Sequence, residues 1–134
     1  MNDAAVARHW TEFLASRKEI ADSKRLLQHF YAGTITRLCD CGCSSYDIKV
    51  SRDSGLQPLL TAKGHRGGCV LSMAFALRDR AGSVEFDVFL DAEGYLAGVD
   101  VACNSNSEPV PSNPLLVEPP YHVHGPLARG PEET

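Results

Sequence analysis

The chain is predicted to be an α+β protein: one or two N-terminal helices packed on an antiparallel sheet of about five strands, with a proline-rich C-terminal extension. Three observations predict it. Apolar residues recur at helical spacing over residues 3–32. From Thr34 the period falls to two and stays there through most of the chain to Cys103. Seven of the eight prolines then fall in residues 104–134, and proline fixes φ and cannot donate to a helix or ladder.

In the first segment Asp3 is placed to cap a helix, because its carboxylate accepts from the orphan N–H groups of the first turn. Val6, Trp10, Phe13 and Leu14 form one apolar set, and Ile20, Leu26, Leu27, Phe30 and Tyr31 form a second. The two do not share a stripe. Ser16-Arg17-Lys18-Glu19 has the form of a capping box, so two helices joined near residues 15–16 are favoured over one bent helix. Gly33 suits the left-handed position that ends a helix.

Thr34–Cys39 reads as a strand, and Tyr46, Ile48 and Val50 alternate with Asp47 and Lys49 as a half-buried one. Arg52-Asp53-Ser54-Gly55 is a turn, Leu59–Ala62 a short edge strand and Lys63–Gly68 a loop. Three alternating runs follow: Cys69, Leu71, Met73, Phe75, Leu77; then Val84, Phe86, Val88, Leu90; then Tyr95, Ala97, Val99, Val101, Cys103. The turn signal Asp91–Gly94 joins the last two. This is an antiparallel meander whose apolar face needs the helices as cover. Residues 1–103 are expected to form one α+β domain. Residues 104–134 would lie along its edge, packed through Leu115, Leu116, Val117 and Tyr121.

Composition narrows the function classes. At 134 residues with 43% hydrophobic and 22% charged residues, the chain has the make-up of a globular domain. Its net charge of −4 argues against nucleic-acid binding, which needs clustered positive charge. Residues 1–37 carry six basic and four acidic side chains, so the remainder holds the negative excess. There is no apolar run of membrane-spanning length and no leader-like N-terminus, so a cytoplasmic location is expected. A protein partner is the expected ligand class, and the oligomeric state is open.

The unusual stretch is Cys39-Asp40-Cys41-Gly42-Cys43, with three of the five cysteines in five residues. Cysteine most often serves as a small buried hydrophobe, and structural thiols facing a core are the ordinary reading. A metal site at Cys39, Cys41 and Cys43 is the second, with zinc as the expected ion. On a straight strand these residues would share a face, with neighbouring sulfurs ~6.6 Å apart, too far for one ion. Convergence therefore requires a turn at Gly42. Redox or nucleophilic chemistry at Cys41 or Cys43 is the third reading. Arg37 would favour a thiolate there and Asp40 would oppose it. The candidates for a fourth ligand are Cys69, Cys103, His65, His122 and His124. In a meander Cys69 and Cys103 lie at opposite ends, ~30 Å apart, so they cannot both join.

The order of helical segment, strand, Cys-x-Cys-Gly-Cys-x-Ser, strand and meander resembles a group of small uncharacterised bacterial proteins. The matching residues are Cys39, Cys41, Gly42, Cys43 and Ser45, while Ser44 stands where the group often has proline. The resemblance implies the architecture and leaves the function open. His122-Val123-His124 reads as a solvated pair, Trp10 as a core anchor, and Lys63–Gly68 lacks the ending of a phosphate-binding loop. No catalytic constellation is visible, so a non-catalytic binding or regulatory domain is expected rather than an enzyme.

Overall fold

Helix gives way to sheet at Gly33, where the period of the sequence changes. A computed structural model describes residues 2–60 and 68–129. Helix α1 spans Ala4–Ala15 and α2 Ser23–Ala32. The strands are β1 Gly33–Leu38, β2 Tyr46–Val50, β3 Gly68–Ala76, β4 Ser83–Leu90, β5 Leu96–Cys103 and β6 His122–His124. They form one six-stranded sheet in the order β1-β2-β5-β4-β3-β6, with every pairing antiparallel. No described helix is long and apolar enough to cross a membrane.

Both helices cover one face of the sheet. Asp3 caps α1 as its position implies, with the carboxylate accepting from the Val6 N–H at 2.9 Å. Trp10 is a core anchor, 4% exposed, in edge contact with Phe13 and tilted against Phe86. Phe86 is fully buried and also meets Phe13 and Phe75. From α2, Leu26 and Phe30 enter the core, while Tyr31 stays 60% exposed with its hydroxyl bonded to Glu12.

Two helix expectations are corrected. Ser16-x-x-Glu19 does not start α2: Ser16 closes α1, and Glu19 pairs with Arg17 at 3.0 Å. Arg17 also holds Glu118 at 2.7 Å and lies over the Phe13 and Phe75 rings, so the charge pattern at 16–19 serves a tertiary contact. Gly33 is not left-handed either; its φ of −96° is extended. Glycine is needed there for space, since a Cβ would lie 2.7 Å from the Ile48 side chain across the β1–β2 ladder.

The meander is present, but two bulges shift its inward faces. One between Cys69 and Leu71 buries both Val70 and Leu71 and leaves Cys69 exposed. The other, opposite Leu90, puts Leu96 in the core in place of Tyr95 and Ala97. A bulge adds one residue to a strand and reverses the alternation beyond it.

The sheet has six strands where about five were expected. The added one is His122–His124, a proline-free triplet within the proline-rich stretch, which can therefore donate to β3. Leu59 is buried and its N–H reaches the Gly94 carbonyl, but no strand forms through Leu60; Thr61 and Ala62, like Lys63–Gly67, lie outside the described residues. Along the sheet edge Leu116 packs on the core, while Leu115, Val117 and Tyr121 point outward at 52%, 38% and 65% exposure, against expectation. Leu127, 2% exposed, fills the core from the tail and ties it to the α1–α2 connection through its carbonyl and the Ala21 N–H.

Candidate metal centre

The β1–β2 connection, residues 39–45, carries the cysteine cluster. Its backbone is tied on several sides. The Cys39 N–H donates to Ser45 O (3.1 Å) and closes the hairpin, and the Ser44 N–H reaches Val101 O on β5 (2.9 Å). The Val101 N–H in turn donates to Ser45 Oγ at 3.1 Å. From the N-terminus, Asn2 Nδ2 donates to both Cys39 O (2.9 Å) and Ser45 O (2.8 Å). From the other side, the Val110 N–H donates to Gly42 O (3.1 Å). Ser44 and Ser45 are each 8% exposed, so the base of the loop is buried while its tip is not.

At that tip the chain turns at Gly42, whose φ is +107°. This is a region L-residues rarely enter, and glycine enters it without a Cβ penalty. The turn brings the sulfurs together. Cys39 Sγ lies 2.9 Å from Cys41 Sγ, Cys41 Sγ lies 3.1 Å from Cys43 Sγ, and all three are within 4.8 Å of one another. The group is close enough to hold a metal ion. The three thiols do not together face the core: Cys43 is buried, Cys39 half-buried and Cys41 exposed.

Packing sulfurs this closely splits their acidities. A thiolate at Cys41 is stabilised first by the Cys39 thiol, then by the Cys43 backbone N–H, the Cys43 thiol and Asn106 Nδ2 at 3.7 Å, which push its pKa down to about 6. The Cys39 thiol, bonded to Cys41 and Cys43, is pushed up to about 11. Near neutral pH the thiolate charge therefore falls on Cys41, beside two further sulfurs, an arrangement suited to an incoming cation. Arg37, whose guanidinium pairs with Asp47 at 3.2 Å, is not among the groups that lower the Cys41 pKa.

Among the described residues, no fourth His, Cys, Asp or Glu ligand joins the triad. Cys103 ends β5 fully buried, and burial raises its pKa. Cys69 pairs with Phe89 while Cys103 pairs with Val84, so the two lie at opposite ends of β4, as the meander implies. His122 and His124 are exposed with ring centroids 6.3 Å apart. Their strand is four places from β2 in the sheet, roughly 19 Å away. His65 lies outside the described residues.

Beside the triad is a cleft of about 670 Å³, whose walls include Cys39, Cys43, Asn2, His9, Trp10 and Pro109. Asn2 Oδ1 is buried there with no hydrogen-bond partner among the described residues. Asn2, Asn106 and Pro109 did not figure among the site residues expected from sequence. Asn106 lies in a turn over Asn104–Ser107, and nothing in the composition of that stretch points to Cys41, 65 residues earlier. Chemically the triad offers two things: a set of soft sulfur ligands, and an exposed thiol with two neighbours in reach. Comparison of this chain with protein-family models, curated proteins and solved structures yields no match.

Proposed function

We propose that the protein is a small, non-catalytic metal-binding domain that holds a thiophilic d10 ion on Cys39, Cys41 and Cys43 and acts as a binding or regulatory module toward a protein partner. The observation that carries this reading is the convergence of three sulfurs to within 4.8 Å around Gly42. Thiolate sets select zinc and monovalent copper over magnesium or calcium. Zinc binds thiolates at about 2.3 Å, so the sulfurs need to open by only about 1 Å to surround it. The test is metal analysis of tag-free protein purified without chelator, beside Cys41→Ser. About one ion per wild-type chain and a loss of at least tenfold in the variant support the reading; less than about a tenth of an ion, with none taken up on titration, removes it. Loading at a hundred times Kd should also raise Tm by roughly 10 °C.

A second reading rests on the exposure of Cys41 between two sulfurs at 2.9 and 3.1 Å. Peroxide would oxidise the Cys41 thiolate to a sulfenic acid and be reduced to water. A neighbouring thiol would then displace the sulfenic oxygen as a second water, leaving a disulfide. A loss of about 2 Da per chain after one equivalent of peroxide, abolished in Cys41→Ser, would establish this chemistry. Slow and uniform reaction of all the thiols would eliminate it.

A further inference from the structure

Resting on the metal-binding reading, we infer that the triad is a three-coordinate exchange site for monovalent copper, open to an incoming thiol, and not a closed structural zinc site. Three observations carry this. First, a closed zinc site requires four ligands, and among the described residues the group stops at three sulfurs. Cys103, at the near end of the sheet, is sealed in the core. Monovalent copper is satisfied by soft thiolates alone.

Second, the three sulfurs are graded from buried to exposed. Cys43 is 6% exposed at the loop base, Cys39 is half-buried, and Cys41 stands in solvent. A structural ion is normally enclosed by its ligands. Here one ligand is exposed to solvent, where an incoming thiol can reach the metal and replace it while the other two keep hold.

Third, there is room for the replacement. The cleft of about 670 Å³ includes Cys39 and Cys43 in its walls and admits a small thiol or a cysteine-bearing loop. Its lining adds His9 and Trp10, which stack edge-on at 4.8 Å.

The exchange step is a substitution without redox change. An incoming thiolate forms a sulfur–copper bond, the Cys41 sulfur–copper bond breaks, and copper stays monovalent throughout. If the incoming group arrives as a thiol, its proton passes to the released Cys41 thiolate.

The experiment is an anaerobic titration of the full chain with monovalent copper against a chromophoric copper chelator. A parallel zinc titration and X-ray absorption at the metal edge accompany it, with Cys41→Ser and Cys103→Ser as variants. The inference expects one copper per chain, three sulfur neighbours and no nitrogen or oxygen, with affinity at least about a thousandfold above that for zinc. Cys41→Ser should lose at least tenfold in copper affinity and Cys103→Ser should lose none. Tighter zinc binding with a nitrogen or oxygen fourth neighbour would overturn the copper assignment while leaving the triad a metal site. Binding of neither ion would overturn both, and loss of copper in a folded Cys103→Ser would show that the site includes a core cysteine.

Discussion

Replacing Gly42 with alanine isolates the turn on which sulfur convergence depends. The added Cβ would meet nothing closer than Pro109 Cα at 3.7 Å, an ordinary contact, so there is no steric clash to complicate the result. The cost is backbone strain at φ +107°, of order 1–3 kcal/mol for a non-glycine residue. That cost is divided between two measurable quantities. If the loop keeps its shape without metal, folding stability falls by the full amount. At about 0.28 kcal/mol/K of unfolding entropy for a chain of this length, Tm then drops by roughly 4–10 °C. If the loop relaxes, the sulfurs fan apart and the metal must restore the turn, which weakens binding by roughly 5- to 150-fold. The two losses together should equal the strain. They are read by calorimetry of metal-free protein and by chelator competition. Gly55→Ala is the control: φ is +78° with nothing within 4 Å of a Cβ among the described residues, and Gly55 lies past the end of β2 that is opposite the 39–45 loop. It should lose stability and leave metal affinity unchanged. A Gly42→Ala protein with both quantities within about 0.5 kcal/mol of wild type would show that the turn is unstrained and glycine is not required there.

Three further outcomes follow from the packing. His29 is buried, with Nε2 donating to Gln57 O (2.8 Å) and Nδ1 accepting from the Leu96 N–H (3.2 Å), so the neutral ring is the form that fits. Burial holds its pKa below 6.5, so the unfolded chain binds this proton first; stability should be full above about pH 6.5 and decline as pH falls through that value, with urea melts of His29→Gln showing a flatter pH slope. Thr11 Oγ1 donates to Ala7 O (2.7 Å) and pairs with the buried Tyr46 hydroxyl. Thr11→Val should therefore cost about 1–3 kcal/mol, and Tyr46→Phe less, since Thr11 keeps its carbonyl; chemical denaturation of both and of the double variant measures the coupling. Phe86→Ala removes the ring shared by Trp10, Phe13 and Phe75 and should cost about 3–5 kcal/mol in the same assay.

The parts of the fold legible in the sequence are those written in local periodicity. Helical spacing locates Trp10 and Leu14, alternation locates Val84, Phe86, Val88 and Leu90, and both sets are buried. The misplaced parts depend on contacts distant in sequence. Ser16-x-x-Glu19 looks like a cap, but Arg17 and Glu19 belong to a cluster with Glu118, 101 residues away from Arg17. Gly33 looks like a helix end, but the residue that excludes a side chain is Ile48 on the neighbouring strand. Bulges at β3 and β5 break the alternation without a local mark, because Val70 and Leu96 are as apolar as the residues they displace. The candidate site was half legible. Its sulfur-bearing residues and the need for a turn at Gly42 were visible. The Asn2 clamp, the Asn106 contact and the adjoining cleft arise only when the N-terminus and the segment after β5 fold back over the β1–β2 loop.

The most direct test of a metal ion on the cysteine triad is an anomalous difference map from crystals of metal-loaded protein, collected at the absorption edge of the bound metal. One peak about 2.3 Å from each of the Cys39, Cys41 and Cys43 sulfurs is the predicted result. A peak elsewhere, or no peak with the three sulfurs pointing apart around an unturned Gly42, would contradict it.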